Sequence, residues 1–152
     1  VNYLPDNSSL EIFDLRRIPL YNEDIIQTAL PDSVICFRDE INDSDAILIA
    51  SPEYNYSITG VLKNALDWAT TNTLGNLLVR KPIAIMGASI GAWGTTRSQL
   101  HLRQVLHAAN AKVIARPEIY ISNAKSVFDE NGFLSDEKIL KRMRDLMQAL
   151  CN

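Results

Sequence analysis

Two polar loops, each set between an apolar run and an amphipathic stretch, carry the residue types that could do chemistry. The first reads Ser51-Pro52-Glu53-Tyr54-Asn55-Tyr56-Ser57-Ile58-Thr59-Gly60. It is entered from Ala46-Ile47-Leu48-Ile49-Ala50 and left through Val61-Leu62-Lys63-Asn64-Ala65-Leu66-Asp67-Trp68. A buried strand, a polar aromatic loop and then a helix is how open α/β sheets build ligand sites at strand C-terminal ends. Pro52 has a fixed φ and stiffens the exit from the strand. The N–H groups of Glu53, Tyr54 and Asn55 can then face the edge of a ring. The second loop, Gly87-Ala88-Ser89-Ile90-Gly91-Ala92-Trp93-Gly94-Thr95-Thr96, follows the apolar run Pro82 to Met86. Its glycines let backbone approach a flat ligand closely. It could equally be read as a dinucleotide turn, although the G-x-G-x-x-G fingerprint is not met.

Other chemistries find little support. No Ser-His-Asp set or metal cluster stands out. His101 and His107 are six apart on one expected helix, the wrong spacing for a shared metal, and read as structural or surface residues. Cys36 and Cys151 form no C-x-x-C and read as reduced thiols, which suits the cytoplasm. A net charge of −3 argues against a nucleic-acid partner. No apolar run approaches the roughly 20 residues of a membrane helix, and Val1 to Asp6 does not read as a signal peptide. With 152 residues, 47% of them hydrophobic and 22% charged, the chain reads as one domain, 1–152, with a real core.

The elements that must position these loops alternate. Leu10 to Leu15 reads as an edge strand. Asp32 or Ser33 is expected to cap a helix carrying Val34, Phe37 and Ile41. Strands follow at Ala46–Ala50 and Pro82–Met86, with helices after each loop. The first of these has the stripe Val61, Leu62, Ala65, Leu66, Trp68 and Ala69. The second, opened by Thr95 or Thr96, has Leu100, Leu102, Val105, Leu106 and Ala109. Pro117 divides a last strand into 113–115 and 119–121, so that strand is broken or at an edge. Ser135 is expected to cap a final helix with Ile139, Leu140, Met143, Leu146, Met147 and Leu150 on one face. Strands alternating with helices imply a doubly wound parallel sheet between helical layers, α/β/α. Tyr21-Asn22-Glu23-Asp24 is expected over the sheet edge near the site.

The stretch Pro52 to Trp68 resembles the signature of the NAD(P)H-dependent FMN reductase family, roughly P-E-Y-N-x-S-x-P-G-x-L-K-N-A-[IL]-D-W. That family includes enzymes described as quinone, chromate and azo-dye reductases. Every position agrees except Thr59, where the family usually has proline. Proline is pre-organised at a helix start; threonine can cap instead, with a small change in loop geometry expected, and Ser57 is read as the helix cap. Arg97-Ser98-Gln99 and Leu102-Arg103-Gln104 also match the residues after the family's second loop. The resemblance implies a flavodoxin-like fold in which strand one is central. It also implies a first strand and a phosphate loop resembling G-S-x-R-x-x-S-x-N, neither found here. Val1 to Leu4 looks like the tail of the helix after that loop, and the sequence is expected to be N-terminally incomplete.

The resemblance further implies FMN as cofactor, with NADPH or NADH as co-substrate. Flavin contacts are carried onto Pro52, Glu53, Tyr54 and Asn55 in the first loop and onto Ser89, Gly91 and Gly94 in the second. Trp93 is expected to cover the ring or a neighbouring subunit. No catalytic acid or base is required, because the cofactor carries the hydride chemistry. The expected reaction is ping-pong reduction of a quinone, azo compound, metal oxyanion or free flavin. The expected assembly is a homodimer or homotetramer, with Trp68 as an interface anchor. The alternative is a flavodoxin-type FMN-binding or electron-carrier module without NAD(P)H turnover.

Overall fold

The layers follow from side-chain alternation along the strands. A computed structural model of the chain describes residues 4–152. After a 3-10 turn at Leu15–Arg17 come α1 (Glu23–Ile26), α2 (Asp32–Asp43), β1 (Ile47–Ala50), α3 (Gly60–Thr70), β2 (Pro82–Ala88) and α4 (Thr96–Ala108). Then come β3 (Lys112–Val113), β4 (Ile119–Ile121), α5 (Ala124–Val127) and α6 (Glu137–Cys151). On β2, Ile83 and Ile85 turn into a core shared with α2, α3 and α4. The intervening Ala84, with Met86 and Ala88, turns into a second core shared with α6. A strand apolar on both faces is what a parallel sheet between two helical layers requires.

All pairings are parallel. Ile47 lies opposite Ile83 and Ala50 opposite Met86. β3 and β4 share the other side of β2: Val113 is beside Ile83, and Ile119 to Ile121 are beside Met86 to Ala88. They are two halves of one edge strand interrupted around Pro117, as expected. The strand C-terminal ends therefore gather the loops 51–59, 89–95 and 122–123 at one end of the sheet.

Several expectations are corrected. Leu10 to Leu15 forms no strand; it runs as irregular chain into the 3-10 turn, and Ile12 is 93% exposed. A strand needs a neighbour to take its backbone hydrogen bonds, and none pairs with it among the described residues. Pro31, not Asp32 or Ser33, is the N-cap of α2. Asp136, not Ser135, caps α6, its Oδ1 accepting from the N–H groups of Lys138 and Ile139. Val61 and Leu100 point outward from their helices. The helix tail read at Val1 to Leu4 falls outside the described residues except for Leu4, which lies in a bend.

Candidate functional site

Residues 54–57 form a two-residue hairpin turn. Tyr54 N–H donates to Ser57 O at 3.0 Å and Ser57 N–H returns to Tyr54 O at 2.9 Å. Asn55 and Tyr56 have φ of 49° and 65°. This is the signature of a type I′ turn. Asparagine visits that region readily, whereas a bulky residue such as Tyr56 is strained there by about 1–2 kcal/mol. The turn presents both Tyr54 and Tyr56 to solvent. It also consumes the Tyr54 N–H, so only Glu53 and Asn55, of the three N–H groups expected to face a ligand, donate to no acceptor among the described residues. Ser57 is not the helix cap. Thr59 is, its Oγ1 accepting from Leu62 N–H at 3.2 Å, which is how threonine replaces the family's proline. Ser57 Oγ instead lies 3.1 Å from His101 Nδ1.

The second loop is laced to the end of β4. Ser89 N–H donates to Ile121 O, Asn123 N–H to Gly91 O, and Ala124 N–H to Ser89 O. Ser89 Oγ accepts from Gly91 N–H at 3.1 Å. Gly94, at φ +55°, leaves a would-be Cβ 3.0–3.1 Å from backbone atoms of Tyr120, Ile121 and Ser122. Its glycine is required by packing on the neighbouring strand. Periodicity gives no hint that the segment Ser122-Asn123-Ala124 belongs here. Its one local signal is an asparagine just after a strand, and Asn123 does adopt the left-handed region.

Glu53 joins the two loops. Its Oε2 accepts from the backbone N–H groups of Arg97 at 3.0 Å and Ser98 at 3.1 Å. These are among the first N–H groups of α4, where a carboxylate also meets the positive end of the helix dipole. Thr95, the formal N-cap, is buried at φ 72° and makes no such bond; its Oγ1 accepts from Gln99 Nε2, which also donates to Ile119 O. The Arg97 guanidinium sits 4.2 Å from the Tyr56 ring centre and 4.9 Å from that of Trp93. A cavity of about 510 Å³ opens here, lined by Glu53, Asn55 and Tyr56. Another concavity, about 400 Å³, is lined by α2 residues alone and touches neither loop. Among the described residues no group of His, Cys, Asp and Glu could hold a metal ion.

Behind the first loop, α3 is fastened from both ends. Asn64 accepts from Tyr21 N–H and donates to Pro19 O; Trp68 Nε1 donates to the same Pro19 O at 2.8 Å. Tyr21 packs edge-on against Trp68 and its hydroxyl meets Thr71. Trp68 is 0% exposed. It is an intrachain core residue, not the interface anchor expected, because the 19–21 segment already covers it. For the same reason Tyr21 to Asp24 runs along α3 toward Thr71 and Thr73, not over the site loops. At the far end, the buried Arg38 guanidinium donates to the carbonyls of Trp68, Leu74 and Gly75, satisfying the helix C-terminus.

The structure thus brings Pro52, Glu53, Tyr54, Asn55, Ser89, Gly91 and Gly94 to one end of the sheet. It adds Arg97, Trp93 and Thr95 to them.

Comparison with known proteins gives this arrangement a context. A family model described as NADPH-dependent FMN reductase matches residues 2–126. The chain is 44% identical over 150 residues to an NAD(P)H-dependent FMN reductase of Pseudomonas aeruginosa, covering 99% of this chain and 80% of the relative. It is 38% identical over 143 residues to a 2-hydroxy-1,4-benzoquinone reductase of a Burkholderia species, covering 94% and 78%. Among solved structures, the flavoenzyme NAD(P)H:(acceptor) oxidoreductase of Paracoccus denitrificans superposes with a TM-score of 0.80 at 35% identity, over 90% of this chain and 74% of that one.

Proposed function

Because the chain belongs to the NADPH-dependent FMN reductase family, and is therefore a flavodoxin-like oxidoreductase working with FMN and NAD(P)H, we propose that it reduces small flat acceptors in ping-pong fashion at the strand C-terminal ends. The observation that carries this reading is the pair of loops held together by Glu53 beside a cavity lined by Glu53, Asn55 and Tyr56. The proposed acceptors are quinones foremost, with azo compounds, metal oxyanions and free flavin as further candidates. We take 1–152 as one domain.

The residues present fit the ring end of FMN. The Glu53 and Asn55 N–H groups have no acceptor among the described residues, and an isoalloxazine edge offers acceptors. Tyr54, Tyr56 and Trp93 offer ring faces at exposures of 64%, 64% and 65%. FMN, when bound, supplies hydride acceptance from NAD(P)H and its transfer onward. The chain's own part is to bind and orient. Pro52, Glu53 and Asn55 present the strand exit and its donors; Tyr54 contributes its ring, since its N–H is spent within the turn. Ser89, Gly91 and Gly94 hold the second loop at a backbone spacing no side chain obstructs. One open site serves both substrates in turn, so NAD(P)H leaves before the acceptor enters.

A second copy covering Val61, Ile90 and Leu100, all outward-facing, would make a homodimer or homotetramer. A cytoplasmic setting suits Cys36 and Cys151, both free and exposed.

The test is a visible spectrum of the purified protein with FMN before and after anaerobic NADPH, followed by steady-state kinetics with a quinone. A bound flavin band that bleaches, and parallel double-reciprocal lines, support the proposal. A bound band that neither NADPH nor NADH bleaches would point instead to a carrier module.

A further inference from the structure

Arg97 has the geometry of a receptor whose N–H edge is open. Its guanidinium lies against two exposed rings, 4.2 Å from the Tyr56 centre and 4.9 Å from the Trp93 centre. Cation–π contacts orient the group but leave its N–H edge open. The neighbouring carboxylate does not close that edge. Glu53 Oε1 pairs with it loosely at 3.8 Å, an ion pair without a hydrogen bond, and the other oxygen, Oε2, already accepts two backbone N–H groups. The guanidinium therefore makes no hydrogen bond among the described residues, and its side chain is 37% exposed. A planar fork of five donors, set against two residues that line the cavity, Tyr56 and Glu53, matches a carboxylate, sulfonate or ionised hydroxyl in two-point fashion. The flanking rings provide the stacking face for whatever carries that group.

We propose that Arg97, flanked by Tyr56 and Trp93, is a specificity-determining residue that makes this site favour acceptors whose aromatic ring bears an anionic oxygen group. This rests on the reductase reading of the site. The anion docks on the outward edge of the guanidinium while its ring lies along Tyr56 or Trp93. Glu53 does not repel it strongly, because its charge is held by the start of α4.

The experiment compares 1,4-naphthoquinone-2-sulfonate with the neutral 2-methyl-1,4-naphthoquinone, in the FMN-loaded wild type, Arg97→Gln and Arg97→Lys. The quantity read is the ratio of kcat/KM for the anionic to the neutral acceptor, each compared across variants. A charge-assisted contact at a partly exposed rim predicts that the ratio falls about tenfold in Arg97→Gln, with partial recovery in Arg97→Lys. The wild-type ratio should also decline as salt is raised. A ratio unchanged by Arg97→Gln overturns the proposal. So does a change confined to the KM for NADPH, which would assign the cation to the dinucleotide's phosphates.

A second arm needs no turnover. Naphthalene-2-sulfonate should quench the exposed Trp93 in the wild type and bind about tenfold more weakly to Arg97→Gln, with Trp93→Phe locating the signal against the buried Trp68. Equal binding by the two proteins would sink the idea even if the enzyme turns over no quinone. Absence of turnover with preserved sulfonate selectivity would instead count against the reductase reading alone.

Discussion

Glu53 Oε2 accepts the backbone N–H of Ser98 at 3.1 Å, across 45 positions of sequence. One carboxylate thus caps a helix that begins in the other loop, and the two loops cannot shift independently. Caps of this kind contribute about 1 kcal/mol. Glu53→Ala is expected to lower stability by about 1–2 kcal/mol, or roughly 2–8 °C in Tm by the scaling for chains of this size. It should also weaken FMN binding, because both loops loosen. Glu53→Gln, which keeps an acceptor oxygen, should recover more than half of the stability. Thermal melts with and without FMN check this, and a larger loss in Glu53→Gln than in Glu53→Ala would contradict it.

Gly87 sits where β2 passes beneath Thr95. A Cβ there would lie 2.4 Å from Thr95 Oγ1 and 2.5 Å from Ser51 O. Both neighbours are fixed, one in a buried strained cap and one on a strand exit. Gly87→Ala is expected to cost at least about 1–3 kcal/mol through overpacking. Trimming Thr95 as well should restore only part of it, since the Ser51 carbonyl remains. Denaturant midpoints of the single and double variants measure both effects.

Trp68 is wholly enclosed by its own chain, with its Nε1 bonded to Pro19 O. Trp68→Ala should cost about 3–5 kcal/mol, as large-to-small core changes do. The loss should not depend on protein concentration. An interface anchor would give a loss that grows on dilution, so melts at two concentrations separate the cases.

Tyr120 donates its hydroxyl proton to Glu118 Oε1 at 2.9 Å. Burial first, and then that hydrogen bond, hold its hydroxyl above the ordinary tyrosine range. The folded state therefore keeps a proton that the unfolded chain gives up above about pH 10. The stabilisation is complete below that pH and is lost as pH rises through the raised folded value. Tyr120→Phe should alter how stability varies with pH from roughly pH 9 upward, while leaving the activity assay at neutral pH to report on the site alone. Urea titrations across that range give the comparison, and identical pH profiles for the two proteins would contradict it.

The periodicities of this chain determined a great deal. The short two-sided apolar runs at 46–50 and 82–86, each leading into a polar loop, read as buried parallel strands and are so paired, and the break at Pro117 was visible because proline cannot donate to a ladder. Apart from Val61 and Leu100, the stripes of α3, α4 and α6 followed from helical spacing, and the string Pro52 to Trp68 identified the family. Local chemistry also allowed Thr59 to cap, as it does. Contacts between residues remote in the chain lay beyond the reach of sequence. Glu53 looks like a ligand-loop residue until α4 arrives beside it. Trp68 reads as an interface anchor until Pro19 and Tyr21 fold over it. Leu10 to Leu15 has a strand's composition, yet a strand exists only where a neighbour takes its hydrogen bonds. Periodicity reports which face of an element is apolar; only the tertiary structure decides what that face, or a loop carboxylate, meets.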